Sequence, residues 1–298
     1  MNSVFDIINI PLGYIFKWIY MFVGNYGWTI VLFTLLIKLA MFPLTLKQQK
    51  SLKKTQALQP KLAALQEKYK YDKEKLNQET MKLYQESGAN PMGGCLPTLI
   101  QFPILIALYN IIRKPMSYVL MFGQEAVLKI YELIHGTAAQ SFSRIDQIGL
   151  AKQMEQHIDK LGEFAREGID FNFLGIFDLS VTPTLQYISQ HPLYALIPII
   201  AGGTTYLVSY LSSKISGTSA NQSENSAAPN MKAMNVMFPL MTAWFAITLP
   251  AGLGLYWIVS NVFQLLQMVL MNKYIEVDVS AYVDDSSKHY RERKKKKK

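Results

Sequence analysis

The chain of 298 residues has one cysteine, Cys95, so no disulfide can form within it. It is also short of acid where acid would matter. No Asp or Glu falls in any stretch long enough to cross a membrane, and Lys38 is the only ionised side chain in one. A metal-dependent intramembrane protease or a proton antiporter would need such groups at depth. The four histidines, His135, His157, His191 and His289, have no helical spacing to acids or to each other. A glycine-rich phosphate loop of the Walker type is missing too, which argues against ATP hydrolysis. These absences point away from an enzyme, and no cofactor or metal is expected. There is no cleavable signal with a charged first region and a small-residue cleavage site, and no cysteine near the N-terminus to carry a lipid.

What the chain has in quantity is apolar sequence: 50% of its residues are hydrophobic and only 17% charged, with a mean hydropathy of +0.11. That composition describes an integral membrane protein. A helix needs about 20 apolar residues to cross ~30 Å of hydrocarbon. The uncharged windows yield five spans of that order, Tyr26 to Leu46, Gly94 to Ile112, Leu193 to Leu211, Met234 to Leu249 and Gly254 to Met271. The last two come from one window too long for a single crossing, divided at Pro250-Ala251-Gly252. The fold class is therefore all-α, a polytopic membrane protein with a five-helix transmembrane bundle.

Charge orients the bundle, because cytoplasmic loops carry the excess of lysine and arginine. Lys47 to Cys95 has ten Lys against five acids, and Lys273 to Lys298 has nine Lys/Arg against five. Lys114 to His191 has six Lys/Arg against nine acids. An odd number of spans puts the first two on one side and the third on the other, with the N-terminus outside and the C-terminus in the cytoplasm. The net charge of +9 is thus concentrated on the cytoplasmic side.

Three divisions follow. Residues 1–25 are apolar but broken by Pro11, Gly13 and Lys17, and read as a helix lying in the outer interface, with a sixth crossing as the alternative. Residues 26–272 form the core with its five spans, a charged segment over 47–87 and an external region over 114–191. In the charged segment Leu58, Leu62, Leu65 and Tyr69 form one apolar face, and Leu76, Thr80, Leu83 and Tyr84 form another after Tyr71-Asp72. That spacing predicts two helices in a cytoplasmic hairpin. Its first arm carries Lys47, Lys50, Lys53 and Lys54 near the membrane, where they could meet anionic headgroups or simply face water. In the external region the pattern Met154, Ile158, Leu161, Phe164 predicts one amphipathic helix over about Asp146 to Arg166. Asn172 to Leu179 reads as a short membrane-surface segment, and Ser212 to Asn230 as a flexible loop. Residues 273–298 form a basic cytoplasmic tail ending in Arg291, Arg293, Lys294, Lys295, Lys296, Lys297 and Lys298.

Lys38 is the sharpest single feature. Polar residues inside the spans, among them Thr34, Thr98, Gln101, Asn110 and Gln264, ordinarily make interhelical hydrogen bonds. Lys38 has no carboxylate in any span to pair with. Two accounts stand: it snorkels toward the cytoplasmic end near Pro43, or it lines a water-filled cavity together with these neighbours. A small-solute channel or transporter could use the same cavity, although the halves show no repeat.

Four ordered runs carry a family resemblance. They are TLLIKLAMFPLTLKQQKSLKK from Thr34, QALQPKLAALQEKYK from Gln56, MKLYQESGANPMGGCLPTLIQFPILIALY from Met81 and FPLMTAWFAITLPAGLGLYWIVSN from Phe238. Together they resemble the YidC/Oxa membrane insertases. The resemblance implies a bacterial plasma-membrane insertase and chaperone. Such a protein receives hydrophobic segments of nascent membrane proteins in a hydrophilic groove, open to cytoplasm and lipid and closed to the outside. It works alone or beside the Sec translocon. The groove position that carries arginine in the family is Lys38 here, so the charge is kept and the planar guanidinium fork is not. By the same resemblance the hairpin is mobile and required, and the basic tail can contact the ribosome, with lipid headgroups an equal competitor.

Overall fold

A computed structural model describes residues 6–87, 96–165, 168–216 and 231–274. Helices dominate it: α1 (Asp6–Val23), α2 (Tyr26–Ala40), α3 (Phe42–Lys68), α4 (Lys73–Ser87), α5 (Leu96–Arg113), α6 (Pro115–Tyr118), α7 (Gln124–His135), α8 (Gln147–Gln156), α9 (Ile158–Leu161), α10 (Leu185–Gln190), α11 (Leu196–Ser216), α12 (Met231–Thr248) and α13 (Ala251–Tyr274). Between α9 and α10 lies a two-stranded antiparallel hairpin, β1 (Asn172–Phe173) and β2 (Phe177–Asp178), with Asn172 opposite Asp178 and Phe173 opposite Phe177. This is an all-α membrane protein with one small β element. Among the described residues, Asp6–Val23, Pro192–Ile215 and Ala251–Tyr274 are long and apolar enough to cross a membrane, while Gln101–Arg113 and Asn235–Thr248 are shorter apolar helices.

The chain divides into two compact units. The first comprises Met1–Leu39, Ile100–Thr204 and Leu240–Asn261. Its core starts from the aromatic residues of α1 and α2: Phe16 meets Tyr26 and Phe33 with ring centroids 5.4 Å apart in both pairs, and Tyr26 meets Phe171 at 4.9 Å. Around them are buried Ile30, Leu108, Ile111, Ile112, Met116, Ile130 and Met154. α1 rests on α6, where Gly13 leaves just enough room for the Tyr118 ring and the Asn9 amide donates to the Tyr118 hydroxyl at 3.4 Å.

Backbone hydrogen bonds tie the segment 114–191, expected to be external, to helix starts in this unit. The first N–H groups of a helix have no partner within it. In α13 those of Ala251 and Gly252 donate to the carbonyls of Val181 and Leu179 at 2.8 and 3.1 Å. Gly252 lies against Ile30, and Gly254 is hard against Ile197, so small residues admit the close approach. In α2, Asn25 is the cap: its side-chain oxygen accepts the Trp28 N–H at 3.1 Å.

The second unit comprises Ala40–Leu99, Thr205–Pro239 and Val262–Lys298. Here α3 and α4 form an antiparallel pair around Leu58 and Leu62, with Leu83 and Tyr84 packed on them. The Asn235 amide donates to the Ser213 hydroxyl at 2.8 Å, joining α12 to α11.

Two sequence expectations differ from these elements. The helix expected over Tyr26 to Leu46 stops at Ala40, and a new one begins at Phe42 with Pro43 in its first turn, where the missing N–H costs nothing. The single helix expected over Asp146 to Arg166 breaks at His157, whose backbone leaves helical geometry at φ −127°. Asn172 to Leu179, expected at the membrane surface, takes the form of the β-hairpin. The basic tail over 273–298 lies outside the described residues beyond Tyr274, as do most of the loop from Ser212 to Asn230 and the start of the Gly94 to Ile112 span.

Candidate functional site

In α2, Tyr26, Ile30, Thr34 and Lys38 recur every four residues and all four are buried. The opposite face shows Trp28, Leu32, Leu36 and Leu39 exposed. The helix is apolar all round by sequence, so this division comes from packing and not from hydropathy. Lys38 is 8% exposed and sits in the last turn, where the partial negative charge of the helix C-terminus favours a cation. None of the ion pairs among the described residues includes it. One turn back, the Thr34 hydroxyl donates to the Ile30 carbonyl at 2.6 Å, so its proton is spent within its own helix and its oxygen remains an acceptor.

Other polar side chains of the first unit come together in pairs. The Gln101 amide of α5 donates to the Tyr256 hydroxyl of α13. Tyr256 is buried and Ser260, one turn further along α13, is buried as well. The Asn261 amide donates to the Thr204 hydroxyl of α11 at 3.1 Å, and that hydroxyl donates in turn to the Ile200 carbonyl at 2.7 Å. Asn110 is half-buried on α5. Of these, Tyr256 and Ser260 were not singled out from the sequence; their signal was the four-residue spacing Tyr256, Ser260, Gln264 within a span.

Gln264 belongs to the second unit and is half-buried there. Next to it along α13, Gln267 is buried and its amide donates to the Thr45 hydroxyl of α3 at 3.4 Å. Among the hairpin lysines, Lys47 and Lys50 are exposed, whereas Lys53 and Lys54 are half-buried. The Lys53 ammonium donates to the Asn272 carbonyl at 3.2 Å, near the C-terminal end of α13, where a cation is favoured. Gln49, between them, is buried with its side-chain oxygen unpaired. The Thr98 side chain and Arg291 to Lys298 lie outside what the structure describes.

The family described as 60Kd inner membrane protein matches residues 18–278. A "Membrane protein insertase YidC" from Wolinella succinogenes is 32% identical over 89% of this chain and 37% of its own length. One of the same name from Prosthecochloris aestuarii is 32% identical over 89% of this chain and 36% of its own. Another from Chlorobaculum parvum is 34% identical over 87% of this chain and 35% of its own. The chain therefore spans little more than a third of the length of these relatives. A solved structure described as an active YidC insertase with its first transmembrane domain resolved superposes with a TM-score of 0.49. It is 23% identical and covers 92% of this chain and 48% of that one.

Proposed function

The chain belongs to the 60Kd inner membrane protein family, that of the YidC insertases, and from that premise we propose that it is a membrane protein insertase and chaperone. It takes hydrophobic segments of nascent proteins into a positively charged hydrophilic groove and releases them sideways into the bilayer, alone or beside the Sec translocon. The observation that carries this reading is Lys38, 8% exposed on a helix that has no acid to neutralise it. A charge at membrane depth costs about 3 kcal/mol on the insertion scale unless it meets water or a partner. A groove that admits the polar flank of a client supplies both.

The mechanism is passive. The client's polar, often acidic, N-terminal flank enters beside Lys38. Its peptide groups exchange hydrogen bonds with side chains of the class formed by Gln101, Tyr256 and Ser260, together with water. The adjoining apolar segment then moves into lipid, gaining about 25 cal/mol per Å² of apolar surface removed from water. The protein lowers the barrier for the polar part alone. Lysine supplies charge without a bidentate fork, so it tolerates flanks of varied geometry.

The membrane is the bacterial plasma membrane, with the N-terminus outside and the C-terminus in the cytoplasm. Lys47 and Lys50 then face cytoplasmic headgroups, and the basic tail from Arg291 to Lys298 reaches for polyanions, the ribosome or lipid. Insertion of a single-span client with an acidic flank into proteoliposomes tests the site. Reversing the charge with Lys38→Glu replaces attraction by repulsion, each about 4 kcal/mol for charges 4 Å apart at an effective dielectric of 20. Insertion should fall by well over ~10-fold, since about 1.4 kcal/mol already makes that difference. Lys38→Arg should keep it. Equal insertion by both variants would remove the electrostatic role, and leakage of small solutes through the reconstituted protein would favour a channel.

A further inference from the structure

The β1–β2 hairpin turns through Leu174 and Gly175, and both hold positive φ, 56° and 69°. The Ile176 N–H closes this turn onto the Phe173 carbonyl at 3.2 Å, and positive φ at its first central position is ordinarily met by Asn, Asp or Gly because a bulky side chain crowds its own backbone there. Leucine is costly in this place, and the rest of the protein gives it little in return. Leu174 is 59% exposed and Ile176 is 55% exposed. No charged residue occurs from Asn172 to Phe177.

The hairpin is fixed to the start of α2. While Asn25 caps that helix, its amide nitrogen donates to the Asp170 carboxylate at 2.7 Å and to the Asn172 carbonyl at 2.8 Å. The Tyr26 N–H donates to the Asp170 carbonyl at 2.9 Å. Gly27 leaves the space that the Phe173 ring fills. The Trp28 indole stands edge-on to that ring with centroids 5.5 Å apart. Trp28 also heads the exposed stripe of α2 that continues through Leu32, Leu36 and Leu39. On a spanning helix an exposed apolar stripe faces lipid, and tryptophan marks the headgroup level. The Trp28–Phe173 contact therefore carries the lipid-facing surface of α2 directly onto the hairpin tip.

We propose that this hairpin is a membrane-dipping anchor. Leu174 and Ile176 insert at the headgroup–acyl boundary of the leaflet in which α2 begins, so that the external region is held by lipid as well as by α2. The occupant is lipid because the tip is uncharged, apolar and continuous with a lipid face. The unfavourable backbone at Leu174 is then offset by the side chain leaving water.

Fluorescence quenching in lipid nanodiscs, which expose both membrane faces, tests the anchor on the full chain. In a Cys95→Ser background, Leu174→Cys, Ile176→Cys and the exposed Gln140→Cys each carry a bimane label. The nanodiscs contain phosphatidylcholine and phosphatidylglycerol, with part of the former bearing a nitroxide near its headgroup. The nitroxide lipid should quench the labels at 174 and 176 several-fold more than the one at 140, and aqueous iodide should show the reverse order. Iodide quenching at 174 and 176 equal to that at 140, with no lipid quenching, would overturn the proposal. Shielding from both quenchers would overturn it equally, since it would mean that protein covers the tip. Leu174→Asn suits the turn better than leucine and so preserves the hairpin, yet it should weaken lipid quenching of a label at 176. Unchanged quenching would remove Leu174 from the anchor.

Discussion

Asp178 shows how a single charge can hold a loop region in place. Burial works to raise its carboxyl, but the Lys152 ammonium, donating at 2.6 Å, and the hydroxyl and N–H of Ser180 outweigh it and hold the group below the usual carboxylate value. A carboxyl whose folded value lies below its unfolded value adds stability at pH above the unfolded value and loses it as pH falls through the folded one. The bond joins α8 to β2, and the Asp178 N–H also donates to the Tyr194 hydroxyl at 2.8 Å. The external region should therefore loosen in acid, beginning just below pH 4. Asp178→Asn should abolish that acid-sensitive component and cost on the order of 1 kcal/mol at neutral pH, because a half-exposed pair is screened. Protection of the α8 amides, taken relative to the unfolded-chain exchange rate at each pH, at about pH 7 and about pH 3 in both proteins checks the two statements together. Exchange that depends on pH equally in the variant would assign the sensitivity to another acid.

At the scale of elements, the α3–α4 pair is held by very little. No residue of α4 is buried, and its grip on α3 is Leu83 and Tyr84 against Leu58 and Leu62. Leu58→Ala removes the centre of that contact. Leu→Ala changes in cores cost 2–5 kcal/mol, and so small a cluster can collapse, which puts the expected loss near about 2 kcal/mol. The amides over Lys73–Ser87 should then exchange at least ~10-fold faster while those of α7 and α8 stay unchanged; equal acceleration everywhere would mean the pair is not an independent unit. The two helices were legible because their apolar residues keep a helical period and Tyr71-Asp72 interrupts it. The break between α2 and α3 was less legible, since a hydropathy window cannot see that Pro43 suits a helix start better than a helix interior. The break at His157 was not legible at all: Met154 and Leu161 keep the expected buried face, whereas Ile158 turns outward because the helix does not continue. The hairpin at Asn172 to Asp178 escaped for want of length, with two residues to a strand. Of the site, Lys38 and Thr34 share a face by spacing alone. The partner of Gln101 lies 155 residues away and only the tertiary fold reveals it.

For the whole molecule, the distribution of its net charge of +9 makes a claim about sidedness that the hydrogen bonds of the first unit allow to be sharpened. The start of α2 is bonded to Asp170, and the start of α13 is bonded to Leu179 and Val181. The α12–α13 turn and the first residue of α2 thus share one end with the external region, and Lys38 lies toward the other end of α2. Positive loops stay in the cytoplasm, so the α3–α4 turn should be inside and the external region outside. With Cys95→Ser as background, a membrane-impermeant maleimide should label Gln140→Cys in intact cells and Tyr71→Cys only after the membrane is opened. Tyr71 is 94% exposed at its turn, so failure to label it in intact cells reports sidedness and not burial. The opposite pattern would invert the protein. The Lys38 end of α2 would then face away from the ribosome, and a groove there could not receive a nascent chain from the cytoplasm. Sidedness is therefore the condition on which the insertase reading of Lys38 depends, and it can be decided without any client at all.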